Sequence, residues 1–305
     1  MLNLSAAESG IRTKECVFMA DYRIITDSCC DFPREMIAQL DIDVVQLTLL
    51  FRGKEMTNPS DEEIQTMYNA LRAGESASTS AVNPEGWKAA MEPIAASGKD
   101  ILVMAFSSGL STTYQSAVIA SQELMEQYPQ RTIKVVDTLA ASLGQGLYVW
   151  YACKKRDEGL SLEELCNWCE DHKFNIAHWF TVDDLMYLKR GGRISAATAV
   201  LGTMLNIKPI LHVDDEGHLV SVSKVRGRKA ALDALAKKIA EDGLPGENET
   251  VFISHGDCLT DAEYVAKLCK KKYGVQNVII GYVGAVISSH SGPDTVAFFF
   301  LGKHR

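Results

Sequence analysis

Short β-branched apolar runs alternate with amphipathic helical stretches through the first half of this chain, and that alternation limits its architecture more than any other feature. Tyr22–Thr26, Val44–Leu49, Ile101–Phe106 and Ile133–Asp137 read as strands. Pro33–Leu40, Ser60–Arg72, Pro84–Ala96 and Thr112–Tyr128 read as the helices between them. Strands joined through helices imply a mainly parallel sheet with helices packed on its faces. The second half changes character: Ile210–Val213, the turn Asp214–Gly217 and Leu219–Val225 read as an antiparallel hairpin. A helix from Lys229 to Glu241 and another near Asp261–Lys272 then alternate with Thr250–Ser254, Val278–Val283 and Val296–Leu301. The expected class is α/β with two α/β domains, the first with a mainly parallel, Rossmann-like sheet and the second with a mixed sheet. The boundary falls near residue 160, after a long helix Leu143–Glu158. That gives a polar leader (1–20), an N-terminal domain (21–160) and a C-terminal domain (161–305).

A chain of 305 residues accommodates two such cores. Its net charge of −8, with no Lys/Arg stripe interleaved with aromatics, argues against a binder that tracks nucleic-acid phosphates. No run approaches the roughly eighteen apolar residues of a membrane span. Met1–Ala20 carries Glu8, Arg12, Lys14 and Glu15 and has no apolar core, so it reads as a leader rather than a signal peptide, with Met19 an alternative start. Without a secretory signal the eight cysteines read as reduced, in a cytoplasmic protein. Cys166 and Cys169 have redox spacing, but they lie within a helical run flanked by Glu163, Glu164, Glu170 and Asp171, which disfavours a thiolate.

Thr181–Ile210 concentrates the functional signal. Thr181 is positioned to cap a helix that ends in Lys189 and Arg190 and stops at Gly191-Gly192. Ser195 then opens a second helix, Ala196–Asn206, before Pro209. Arg193 stands between the stop and the start, where the backbone holds a side chain against a ligand; the bland alternative is a well-capped helical hairpin. Strand ends give the second signal: Asp27-Ser28, Ser107-Ser108-Gly109, Asp137-Thr138 and His255-Gly256 each follow a strand. Ligands in open parallel sheets bind beyond the carboxyl ends of strands, although the same residues also make turns and caps. No nucleotide loop is present, since Gly144-Gln145-Gly146 follows no strand and lacks a third glycine. No metal-ligand spacing appears. A hydrolase using Ser108 and His290 is conceivable, but the nucleophile elbow is missing. Hydroxyls before helix starts, at Ser107-Ser108 and Thr79-Ser80, favour a small anion such as a carboxylate.

At these residues the chain resembles the DegV family. The matching stretches are Ile25-Thr26-Asp27-Ser28, Thr79-Ser80, Ser107–Ser111 with Thr113–Ala117, Asp137, Leu188–Ser195 with Leu205–Ile210, Lys224-Val225-Arg226, and His290-Ser291-Gly292-Pro293. The resemblance covers Tyr22 to Gly302. It implies a bacterial lipid-binding protein with a long-chain fatty acid buried between two α/β domains. The carboxylate would lie at Thr79 and Ser108, with Ser80 and Ser107 close by and His290 and Arg193 as the motif histidine and arginine. Ile194, Val200, Leu201, Met204 and Leu205 are candidates for the acyl tunnel, core packing being the plain alternative for each. The resemblance further implies that a fatty acid kinase catalytic subunit phosphorylates the bound acid. This chain would then be a binding subunit, not an enzyme, with no cofactor beyond the lipid itself. The alternative is a stand-alone acyl hydrolase or phosphotransferase using Ser108 and His290. Lys224, Arg226 and Arg228 would dock the kinase or merely solvate a strand edge. The chain departs from the family pattern at Ala81-Val82, Thr112 and Cys29-Cys30, and at Asp294, which sets a carboxylate beside the His290 motif.

Overall fold

The computed structural model describes residues 21–195 and 206–305, and its first sheet is parallel throughout. β1 (Tyr22–Asp27), β2 (Asp43–Val45), β6 (Asp100–Ala105) and β7 (Ile133–Asp137) lie in the order β2-β1-β6-β7. Their crossover helices are α1 (Arg34–Leu40), α3 (Pro84–Ala96) and α4 (Thr113–Gln127). The expected strand Val44–Leu49 is in fact two. β2 stops at Val45, and the Leu47 amide donates to Ser28 Oγ (3.0 Å) instead of to a neighbouring strand. The chain then enters β3 (Thr48–Phe51), which pairs with β4 (Lys54–Met56) and β5 (Ser78–Ser80) in a small antiparallel sheet. Strands of three residues show too little alternation to register in a sequence. α2 (Asp61–Arg72) backs this sheet and starts in a reciprocal cap between Ser60 and Glu63.

The second sheet is mixed. β8 (Ile176–Thr181), β9 (Ile207–Val213), β10 (Leu219–Arg226), β11 (Thr250–His255), β12 (Asn277–Tyr282) and β13 (Val296–Leu301) are ordered β10-β9-β8-β13-β11-β12. Only β11 and β12 pair in parallel. β8 corrects the reading of Thr181 as a helix cap: Thr181 ends this strand opposite Val296, fully buried. A central strand buried on both faces loses the alternation that identifies it. The helix that follows is short, α7 (Met186–Arg190), and its first turn is held by Asp184, which accepts from the Met186 amide at 2.8 Å. α8 (Arg228–Asp242) and α9 (Leu259–Tyr273) pack together on one face of the sheet. Arg228, read as a docking cation, pairs with Asp261 at 2.7 Å.

α5 (Leu143–Asp157) joins the two layers. It packs on β8, β11 and β13, while Leu143, Leu147 and Tyr148 share a core with Tyr22, Ile24, Leu102 and Met104 of the first sheet. Its two glycines make this approach possible. A Cβ on Gly144 would overlap His178 and reach 2.7 Å from Phe299 Cδ1, and one on Gly146 would lie 2.7 Å from the Cys30 carbonyl oxygen. Gly144-Gln145-Gly146 is thus a packing device. Just before the helix, Ser142 donates to Asp31 (2.5 Å) and bonds Ser254 Oγ (2.8 Å), linking the turn after β1 to β11. α6 (Leu162–His172) returns over the first sheet against β6 and β7. Cys166 and Cys169 lie within it, and burial pushes both thiols up, the reverse of a reactive dithiol. Among the described residues no helix is long and apolar enough to cross a membrane. Residues 1–20, and all of the expected helix Ala196–Asn206 except Asn206, fall outside the described residues.

Gly144→Ala is expected to destabilise the fold by about 1–3 kcal/mol, the usual cost of overpacking. Urea denaturation measures it; an unchanged midpoint would show that helix and sheet can separate without loss.

Candidate functional site

Two strand-end carboxylates, Asp27 buried and Asp137 partly buried, shape the loop that follows β6. Asp27, at the end of β1, accepts from the amides of Cys29 (3.0 Å) and Phe106 (2.7 Å). Burial pushes its carboxyl up to about 6, against the pull of those amides. Asp137, at the end of β7, accepts from the amides of Ser108 and Leu139, both at 3.1 Å. The strand-end aspartates therefore bind backbone, not ligand. Ser107 is fully buried; it donates to the Gly217 carbonyl (2.9 Å) and accepts from the Gly109 amide (3.2 Å). Its hydroxyl ties the first sheet to the β9–β10 turn and does not reach the cavity described below. Ser108, next along, does.

Thr79 arrives on β5. Alternation turns Thr79 inward and leaves Ser78 and Ser80 exposed, so Ser80 is not brought to the site. Thr79 Oγ1 lies 2.9 Å from His290 Nε2, on the short helix α10 (Ala285–Ser291). The imidazole rests on Gly191, where any Cβ would overlap Nδ1. The double glycine thus has divided roles: Gly191 makes room for His290, and Gly192, at φ 72°, turns the chain. Arg193 follows. Its guanidinium donates to the carbonyls of Gly191 and Leu110, the latter at 2.9 Å, which sets it against the Ser107–Ser111 loop.

The electrostatics are unbalanced. Among the described residues no carboxylate pairs with the half-buried Arg193, and desolvation lowers its pKa. Burial first, and then the charge of Arg193, push His290 down to about 4, so the ring is neutral at physiological pH. The site brings together a cation with no acidic partner among the described residues, a neutral imidazole and the hydroxyls of Thr79 and Ser108. Such a set recognises an anion. It does not assemble a Ser-His-acid triad: His290 Nε2 is bonded to Thr79, and among the described residues no carboxylate bonds its Nδ1. No cluster of potential metal ligands occurs among the described residues.

Thr79, Ser108, Arg193 and His290 line a cavity of about 460 Å3, within the range of small-molecule pockets. Its other walls are mostly apolar and come from both sheets: Leu47 and Phe106 from the first half, and Phe180, Val213, Leu219 and Phe299 from β8, β9, β10 and β13. Val286 and Ile287 add one face of α10. Sequence reasoning missed these wall residues, because an apolar residue facing a cavity has the same pattern as one facing a core. Ile194, a tunnel candidate, is buried in the core with Leu188 and Leu185 and is not on this wall. Val200, Leu201, Met204 and Leu205 lie outside the described residues. Of the departures from the family pattern, Ala81 and Thr112 line the cavity. Asp294 does not. It pairs with Arg72 at 3.1 Å, together with Asp257, so its charge is spent on the small sheet's helix.

The model of the DegV family, described as uncharacterised, matches residues 21–303. A DegV domain-containing protein of Clostridium perfringens is 44% identical over 289 residues, covering 94% of this chain and 99% of its own. A protein named fatty acid-binding protein from Thermotoga maritima is 33% identical, over 90% of this chain and 96% of its own. A solved DegV family protein from Thermus thermophilus, described for its fatty acid binding, superimposes with a TM-score of 0.81 at 31% identity, covering 92% of this chain and 99% of its own.

His290 is expected to titrate near pH 4 in the folded protein, below the ordinary 6.5. Between those values the unfolded chain takes up a proton that the folded ring refuses, so this group withdraws stability as pH falls. NMR titration gives the midpoint. His290→Gln should lose less stability than the wild type between pH 7 and 5; an ordinary midpoint would contradict the buried, neutral ring.

Proposed function

The chain belongs to the DegV family, and from that premise we propose that it binds a long-chain fatty acid, with the carboxylate at Thr79, Ser108, Arg193 and His290 and the acyl chain in the adjoining cavity. The observation that carries this reading is Arg193, a half-buried cation without an acidic partner among the described residues, at the polar end of an otherwise apolar cavity. A carboxylate would balance its charge, accept from Thr79 and Ser108, and leave the hydrocarbon against Phe180, Leu219 and Phe299. The division of labour is physical. Each buried methylene contributes roughly 0.8 kcal/mol, so a sixteen-carbon tail supplies most of the affinity while the head group fixes orientation. Relatives named for fatty acid binding support the ligand class.

The reading extends to presentation. The chain would act as a binding subunit in the cytoplasm, holding its lipid for a fatty acid kinase that converts the carboxylate to an acyl phosphate. The sequence resemblance supports that partner, and so does a surface depression that shares Thr79, Arg193 and His290 with the cavity, because it gives a second protein access to the head group. The bonding of His290 to Thr79, not to Ser108, speaks against hydrolysis by this chain alone.

Protein purified without detergent should release long-chain fatty acid into an organic extract read by mass spectrometry. Arg193→Gln should weaken palmitate binding about 10- to 100-fold, the worth of a charge-assisted hydrogen bond, while scarcely changing the affinity for hexadecanol. An empty extract together with no uptake of added palmitate or oleate would sink the proposal.

A further inference from the structure

Ser142, just before α5, has a backbone conformation that a residue with a side chain rarely adopts. At φ 55° and ψ −150° it borders a region that glycine populates freely and other residues only under constraint. With Ala141 it lines the apolar cavity. Its hydroxyl supplies the constraint. Ser142 Oγ donates to Asp31 Oδ2 at 2.5 Å, which commits its one proton, so at 2.8 Å it accepts from Ser254 Oγ. Ser254, fully buried on β11, accepts in turn from the Leu143 amide at 3.4 Å. The relay runs in one direction, from the first turn of α5 to a carboxyl group. The other oxygen, Asp31 Oδ1, rests on Gly284, where a Cβ would overlap it. Gly284 stands at the start of α10, which brings Val286, Ile287 and His290 to the cavity. Asp31 itself stands behind this wall, on a second cavity of about 310 Å3.

We propose that Asp31 is a positioning residue for the lipid site: its carboxylate holds Ser142 in this strained turn, and the turn holds the wall against which the acyl chain lies. This rests on the fatty-acid reading above. A residue forced into a conformation that suits glycine relaxes when its anchor is removed, and Ala141 and Ser142 then leave the wall in a fraction of the molecules. Ligand binds only those in which the wall is formed, so the apparent affinity falls by that fraction. A carboxylate suits the end of such a relay, because hydrogen bonds to an ionised acceptor are roughly twice as strong as neutral ones. Burial pushes the Asp31 carboxyl up to about 7, while Ser142 and the Gly284 amide pull it down and Asp27 adds repulsion. The anchor is therefore at full strength above that midpoint.

Two substitutions at Ser142, crossed with one at Asp31, test this on the intact protein. Palmitate affinity is measured by calorimetry on delipidated protein at about pH 8, above the Asp31 midpoint. Asp31→Asn keeps the shape against Gly284 and removes the charge. It should weaken palmitate binding about tenfold or more, the worth of one hydrogen bond to a charged group. Ser142→Ala should cost as much, since it keeps the strain and loses the anchor. Ser142→Gly should cost clearly less than Ser142→Ala, because glycine adopts the turn unaided; at an unstrained position the order is the reverse. In the Ser142→Gly background, Asp31→Asn should cost less than about twofold. That arm still decides the matter if Asp31→Asn alone does not fold. Ser142→Gly binding no better than Ser142→Ala, or a full Asp31→Asn loss in the Ser142→Gly background, overturns the positioning role and leaves the carrier reading standing. Wild-type protein that takes up no palmitate overturns both.

Discussion

Helix α5 has no wet face at its start, and the rest of the molecule is arranged around that fact. Leu143 to Val149 are buried without interruption between a parallel sheet and a mixed one. A helix can be enclosed in this way only if backbone approaches side chain where the layers are closest, which Gly144 and Gly146 allow. The enclosed helix fixes the distance between the sheets. That distance in turn leaves Phe180 and Phe299 on one side of a gap and Phe106 and Leu47 on the other. The cavity lies beside the start of α5, where Ala141 and Ser142 line it.

The polar end of that gap follows from a different economy. Burying an arginine with no carboxylate partner among the described residues is costly, and the carbonyls of Gly191 and Leu110 offset part of that cost. A protonated His290 beside it would add repulsion, and the ring is held neutral. A site built this way is poised for one negative charge and disfavours a second cation. The backbone does the positioning: Asp27 and Asp137 fix the loop that carries Ser108, Gly191 admits His290, and Thr79 comes in from a separate sheet.

Much of this was legible in the sequence where chemistry and spacing act locally. The parallel pairing of the first sheet came from alternation, and the β9–β10 hairpin from Asp214–Gly217. Arg193, Thr79, Ser108 and His290 were identified as candidates from motif positions, and all four line one cavity. The failures have physical reasons. Ser80 and Ser107 belong to the same motifs as Thr79 and Ser108, yet the pleat turns Ser80 outward and Gly217 claims the hydroxyl of Ser107. β8 was missed because a strand buried on both faces, with His178 inside it, has no periodicity to read. Asp294 looked like a charge at the head group because its partner, Arg72, lies more than two hundred residues away in the chain.

Thr79 belongs to a sheet of its own, and α2 moors that sheet to the second layer through Arg72 with Asp257 and Asp294 and through the Tyr68 hydroxyl on the Val283 carbonyl. Mooring and occupancy are then thermodynamically linked. Any ligand that gains free energy from Thr79 returns the same amount to the docking of the small sheet, and whatever loosens those moorings is subtracted from affinity without touching the ligand. Docking of the small sheet and occupancy of the cavity are in this sense a single equilibrium.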